Sequence, residues 1–300
     1  MIYVAGAAIL FASKGLFSKA LYQRGVGFEL LVTVRALLAM PLFVWFALFS
    51  NKGGNRGSSP AAPIPWSAYA GASLAGIICY YVGAMVDFWA LEMIDASIER
   101  VLLFSYPALV VLISSCMRRR APERRVVLAM AVTYVGIFFA MGGVDLHELR
   151  ANLFGASLVL IAALTTAIYF LIGERFVHVL GSTRFAAIGM SSSAIVLALH
   201  FAVFRSFDEV RALDGHDWGL LVILGIACMF LPGLMQAEGV RRVGAQRAAI
   251  GSTVGPPTTI VLAALFLGER LNGWQLLGSA MIVASVLALS VVPGKESREI

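Results

Sequence analysis

Charge is scarce in this sequence: Lys, Arg, Asp and Glu make up 13% of its 300 residues, against 60% hydrophobic residues. A soluble domain of this length cannot hide so much apolar surface, whereas lipid solvates it. Only three cysteines occur, Cys79, Cys116 and Cys228, all inside apolar runs. Their spacing fits no metal site, and they form no disulfide framework. A Gly-Lys-Ser/Thr phosphate loop is absent, which excludes ATP-driven pumping by this chain alone. No metal or other cofactor is expected. The first apolar run lacks a basic start and carries Lys14 in its middle, so it reads as a retained span rather than a cleaved signal.

What the sequence does hold is ten apolar runs, at 2–22, 28–49, 66–91, 95–116, 125–143, 152–173, 184–204, 217–240, 245–267 and 272–292. Ten helices of about 20 residues would use roughly 200 residues, leaving only short loops. A sheet is excluded, since lipid-exposed backbone must satisfy its own hydrogen bonds and these runs exceed barrel-strand length. The expectation is an all-α integral membrane protein.

The runs fall into two copies of one unit. A shift of 149 (184 minus 35) pairs Arg35 with Arg184, Gly6 with Gly155, Gly76 with Gly225 and Ile77 with Ile226. It also pairs Cys79 with Cys228, Ala96 with Ala245 and Pro107 with Pro256. The predicted units are residues 1–143 and 152–292, joined by a periplasmic connector at 144–151 and followed by a tail at 293–300. With five spans per copy, the second copy enters the bilayer from the opposite side. Such inverted repeats place a transport site between the halves near the midplane.

Basic residues cluster in alternate loops: Lys52 and Arg56; Arg118, Arg119, Arg120, Arg124 and Arg125; Arg175; Arg241, Arg242 and Arg247; Lys295 and Arg298. Intervening loops lean acidic, with Glu92, Asp95, Asp145, Glu148, Asp208, Glu209, Asp214 and Asp217. The positive-inside rule puts the basic loops and both termini in the cytoplasm. The Arg118–Arg125 cluster lacks interleaved aromatics and reads as a topology anchor, so no nucleic-acid partner is expected. Asn51–Pro65 reads as a flexible Gly/Ser/Pro-rich loop.

Helix breakers concentrate in spans three, four, eight and nine: Gly76 and Gly83; Pro107; Gly225, Pro232, Gly233 and Gly239; Gly251, Gly255, Pro256 and Pro257. Interrupted spans at matching places in two halves point to a transport site. Close helix packing is the competing explanation for any one of them.

Polar groups inside the spans are few. Lys14 either attracts a substrate carboxylate or pairs with an acid of a neighbouring span. In span three, Gly76, Tyr80, Gly83 and Asp87 share a face; the matching face of span eight carries Gly225, Met229, Pro232 and Gln236. Asp87 is a candidate ammonium partner or proton carrier, and Glu99 and Arg100 enter span four from the outside. Arg35 reads as a structural tie to loop carbonyls, Glu238 as a partner of Arg241 or Arg242, and His200 as interfacial. Tyr80, Tyr81, Trp89, Tyr106 and Tyr169 are the aromatic candidates for a pocket. The candidate binding set is thus Lys14, Tyr80, Tyr81, Asp87, Glu99, Tyr106, Tyr169 and Gln236.

The stretch Gly244–Leu289 (GAQRAAIGSTVGPPTTIVLAALFLGERLNGWQLLGSAMIVASVLAL) resembles the closing part of the EamA repeat. Its signals are the ninth-span prolines, the Gly268–Leu271 turn and the Gln275/Gly278 start of the tenth span. Ala96–Ser115 looks like the same element in the first half, although a basic run replaces its Gly-Glu-Arg turn. The resemblance is to the drug/metabolite transporter superfamily, and within it to bacterial amino acid exporters of the YddG type. It implies a multi-pass protein of the bacterial inner membrane, contacting lipid and a small-molecule substrate such as a neutral or aromatic amino acid. Export of lipophilic cations is the alternative. Self-association through spans five and ten is a further possibility. An intramembrane hydrolase is remote: Ser157 sits near the start of its span, and Asp87 is the one aspartate well inside any span.

Overall fold

The computed structural model describes residues 2–49, 64–117, 124–140, 146–252, 255–268 and 272–291. Most of the Asn51–Pro65 loop, Arg118 to Arg120, Asp145, the 269–271 turn, Lys295 and Arg298 lie outside these residues. So do the side chains of Arg125, Glu148, Arg247, Pro256, Pro257 and Gln275.

Among the described residues every regular element is helical. The helices are α1 (Ile2–Ala12), α2 (Lys14–Gln23), α3 (Phe28–Phe49), α4 (Trp66–Gly76), α5 (Ala84–Met93), α6 (Ala96–Leu103), α7 (Tyr106–Met117) and α8 (Arg124–Ala140). There follow α9 (Leu146–Leu180), α10 (Ser182–Phe204), the short α11 (Asp208–Arg211), α12 (Gly215–Gly225), α13 (Leu231–Gly251), α14 (Gly255–Phe266) and α15 (Gly273–Val291). Among the described residues, seven helical segments are long and apolar enough to cross a membrane. Leu48, Val203, Phe204, Leu265 and Phe266 are more than 60% exposed, a surface that only lipid accommodates. The chain is a multi-pass membrane protein.

The breaks fall where glycine and proline announce them. A π-helical segment, Ile77–Gly83, directly follows Gly76, and a second, Ile226–Phe230, directly follows Gly225. They begin 149 residues apart (226 minus 77), the offset that relates the two halves of the sequence. Such π turns shift helix register and recur at functional sites. Pro107 is the second residue of α7, after a break at Phe104–Ser105; Pro256 is the second residue of α14, after a break beyond Gly251. Both stand in a first helical turn, where a missing N–H costs nothing. Pro232 differs: its π segment runs into α13 without a break, so this proline lies inside a continuous helix.

Gly76 also serves packing. A Cβ there would lie 2.0 Å from the Gly189 carbonyl oxygen, so α4 and α10 meet backbone to backbone. Gly244 takes φ +80° inside α13, which lets spans eight and nine join without a separate loop.

Three features depart from expectation. The first span is broken at Ser13, whose hydroxyl donates to the Leu10 carbonyl at 2.8 Å. Residues 146–151 of the expected connector are already the first turns of α9. The helices over the expected fifth and tenth spans, α8 and α15, pack on each other: Phe139 stacks on Trp274 at 5.2 Å, and Gly136 lies against Ile282 and Gly278.

The halves interdigitate, with α3 against α10, α1 against α13 and α5 against α9. Ion pairs tie them at one end, and a second polar cluster knits the second half at the other. On one side Arg24 binds Asp214 (2.5 Å) and Asp217, and Arg205 binds Glu29 (2.6 Å). At the far end of the α12–α13 rod, Glu238 accepts from Ser182 (2.6 Å), Arg241 and Arg242.

Candidate functional site

Burying an ammonium in a lipid-spanning bundle requires compensating charge. The Ser13 break starts α2 at Lys14, which is 5% exposed. Its Nζ donates to Asp87 of α5 and, at 3.1 Å, to Glu99 of α6. Both carboxylates are buried, Glu99 to 1% exposure. Two acids from different helices thus converge on one cation, and the bridge pins three helices at the broken span.

A cavity of ≈ 120 Å³ opens beside this bridge. That volume holds several waters or the polar end of a small metabolite. Ala7, Ala8, Phe11 and Lys14 line it from the first span, and Arg35 from α3. Span three contributes Cys79, Tyr80, Gly83, Ala84, Asp87 and Phe88. Arg100, Leu103, Phe104 and Tyr106 come from α6 and α7 with their junction, Ala162 and Thr166 from α9, and Met229, Gln236 and Ser252 from the second half. Its wall is therefore aromatic and aliphatic, punctuated by four charged side chains.

Three of those charged groups carry buried polar atoms with no hydrogen-bond partner among the described residues: Arg35 Nε, Arg100 Nε and Asp87 Oδ1. Arg35 is 5% exposed, with its guanidinium carbon 4.1 Å above the Phe88 ring. The expected tie to loop carbonyls is not what its side chain makes. Lys14 Nζ lies 4.9 Å from the same ring. Arg100 donates from Nη2 to the Ala8 carbonyl at 3.3 Å. A Cβ on Gly255 would come 3.0 Å from that Nη2, so glycine at the start of α14 leaves room for the guanidinium.

The candidate residues separate into three groups. Lys14, Tyr80, Asp87, Tyr106 and Gln236 face the cavity, as does Gly83. Tyr106 is fixed from its hydroxyl, which meets Ser252 Oγ at 2.6 Å across the halves. Glu99 and Tyr169 stand behind the wall: Glu99 holds Lys14, and Tyr169 packs edge-on against Tyr80 at 5.1 Å. Tyr81 points elsewhere, its hydroxyl 3.0 Å from His200 Nδ1 on α10. Tyr80 shares the face of Gly76, Gly83 and Asp87 that the helical spacing predicts, and Tyr81, one residue on, points to another face. Sequence reasoning missed Arg35 as a cavity residue, although its depth inside an apolar run was a signal.

Known proteins agree with this architecture. A curated relative from Bacillus subtilis (strain 168), described as "Uncharacterized transporter YcbK", is 29% identical over all of this chain and 93% of its own length. A solved crystal structure shares the fold, with a TM-score of 0.68 over 97% of this chain and 96% of that one, at 16% identity. The profile of the EamA-like transporter family matches residues 1–142 and 153–291, in two blocks that follow the two halves. The chain therefore belongs to the EamA-like transporter family.

Proposed function

We propose that this protein is a secondary transporter that exports small metabolites, foremost neutral or aromatic amino acids, by alternating access of the central cavity. The observation that carries this reading is the cavity's composition: unpartnered polar atoms of both signs beside an aromatic wall of Phe11, Tyr80, Phe88, Phe104 and Tyr106. A substrate with a charged head and an apolar body matches that wall. Within the superfamily, YddG-type amino acid exporters are the subgroup this chemistry favours.

The reading includes ten spans in two inverted five-span repeats, in a bacterial inner membrane with both termini cytoplasmic. The equal spacing of the two π segments and of the two proline-led helices supports the repeat. Rocking of the interrupted spans around the cavity would expose it to either side in turn.

A lipophilic cation is the alternative, and the unpartnered Asp87 Oδ1 is what favours it. Against it stand three cations, Lys14, Arg35 and Arg100, facing two carboxylates. Efflux from proteoliposomes loaded with labelled phenylalanine, leucine or tetraphenylphosphonium separates the readings, with and without a pH gradient. Saturable efflux of the amino acids supports the proposal. Efflux of the cation alone refutes it.

A further inference from the structure

Lys14 looks from sequence like the natural anchor for a substrate carboxylate, but the geometry removes it from that role. Its ammonium already faces Asp87 and Glu99. An incoming carboxylate would meet two negative charges for one positive, and like charges in a low-dielectric site repel strongly.

Arg35 is different. Its side chain is buried, lines the cavity, and has no carboxylate within ion-pair distance among the described residues. The Phe88 ring beneath it supplies only a cation–π contact, which compensates a small part of the cost of a buried charge. Its Nε points to no protein acceptor. Arg100 Nε shares that condition on the same cavity. A guanidinium presents paired donors that fit a carboxylate with two parallel hydrogen bonds. Asp87 keeps one oxygen on Lys14 and leaves the other, Oδ1, unpartnered.

We infer that Arg35 is the carboxylate anchor of the transport site, assisted by Arg100, that Asp87 Oδ1 receives the substrate's ammonium, and that Lys14 is a structural bridge. The preferred substrate is then a zwitterion with an apolar side chain, held at both poles. This rests on the reading that the central cavity carries the substrate.

The test is counterflow of labelled phenylalanine, and in parallel leucine, in proteoliposomes. The competitors are analogues lacking one pole: phenylpropionate and 4-methylpentanoate without the ammonium, phenethylamine and isoamylamine without the carboxylate. For the wild type, loss of either pole should weaken competition by about 10- to 100-fold, the range for a lost charge-assisted hydrogen bond. Arg35→Gln should weaken the amino acids and the carboxylates by about tenfold or more, yet leave the amines within about twofold. Arg35→Lys, which keeps the charge and loses the fork, should show the same ligand selectivity with a smaller loss. Should Arg35→Gln fail to fold, that variant and the wild-type panel still decide.

Equal losses for carboxylates and amines in the Arg35 variants would overturn the assignment, as would no loss for either. Wild-type competition by amines as strong as by the amino acids would also overturn it. Transport of amino acids with Arg35 indifferent sinks only this inference. Transport of neither amino acid by the wild type sinks the proposed function and the inference together.

Discussion

Lys14 on α2 and Glu99 on α6 meet at 3.1 Å in the protein interior, and Asp87 on α5 closes on the same ammonium. Removing the cation would leave two buried carboxylates facing each other. Lys14→Met should therefore destabilise the protein by about 3–5 kcal/mol, the usual cost of breaking a buried ion pair from one side. Adding Glu99→Gln to that variant should restore part of the loss. Thermal unfolding of the purified protein across this double-mutant cycle reads the coupling directly.

The close approach of α4 and α10 makes a second prediction. Gly76→Ala puts a methyl 2.0 Å from a backbone carbonyl oxygen, and neither helix can yield cheaply. The related Gly225→Ala meets the Arg35 carbonyl oxygen at 3.0 Å and the Leu38 Cβ at 3.2 Å, a contact that small shifts relieve. Gly76→Ala should cost about 1–3 kcal/mol or more by overpacking, and Gly225→Ala clearly less. Equal melting temperatures for the two variants would contradict this packing.

The Tyr106 hydroxyl links α7 to Ser252 at the end of α13. Tyr106→Phe keeps the aromatic wall and removes that link. The expected effect is a loss of about 1 kcal/mol in stability and a lower transport rate at nearly unchanged apparent affinity. Counterflow kinetics on the variant check it.

Much of this layout was legible in the sequence because each signal had a local cause. Gly76 and Gly225 mark register shifts, and Pro107 and Pro256 mark helix starts, since proline and glycine act on their own backbone. An acid partner for Lys14 was one of two readings the sequence left open, on the cost of a lone charge in lipid. The break at Ser13 was not legible. Helical periodicity assumes a uniform turn, and a π segment or a broken span rotates every side chain beyond it. The cavity position of Arg35 was hidden for another reason: what a buried side chain faces depends on several helices at once.

The latch at the loop end makes a pH prediction. The backbone N–H of Asp217 holds the Asp214 carboxyl below the ordinary aspartate range, with Arg24 adding to this and burial opposing it. A carboxyl lowered on folding contributes stability above its unfolded value of about 3.9 and loses it as the pH falls through the lower folded value. The wild type should therefore lose its advantage over Arg24→Gln as the pH drops below about 4. At neutral pH the variant should melt lower: the pair with the exposed Asp214 contributes little, but the buried Asp217 carboxylate also loses its cation. A difference that persists in full at pH 3 would contradict the assignment.

In alternating access, one cavity serves both sides of the membrane in turn. Thr166 lines that cavity and donates its hydroxyl to the Ala162 carbonyl of its own helix, at 2.9 Å. Thr166→Cys in a background with Cys79, Cys116 and Cys228 replaced by alanine can be challenged with a membrane-impermeant methanethiosulfonate. Labelling from either side, with rates that shift when phenylalanine is added, is the result alternating access requires. Labelling from one side only, or from neither, while transport continues would contradict it.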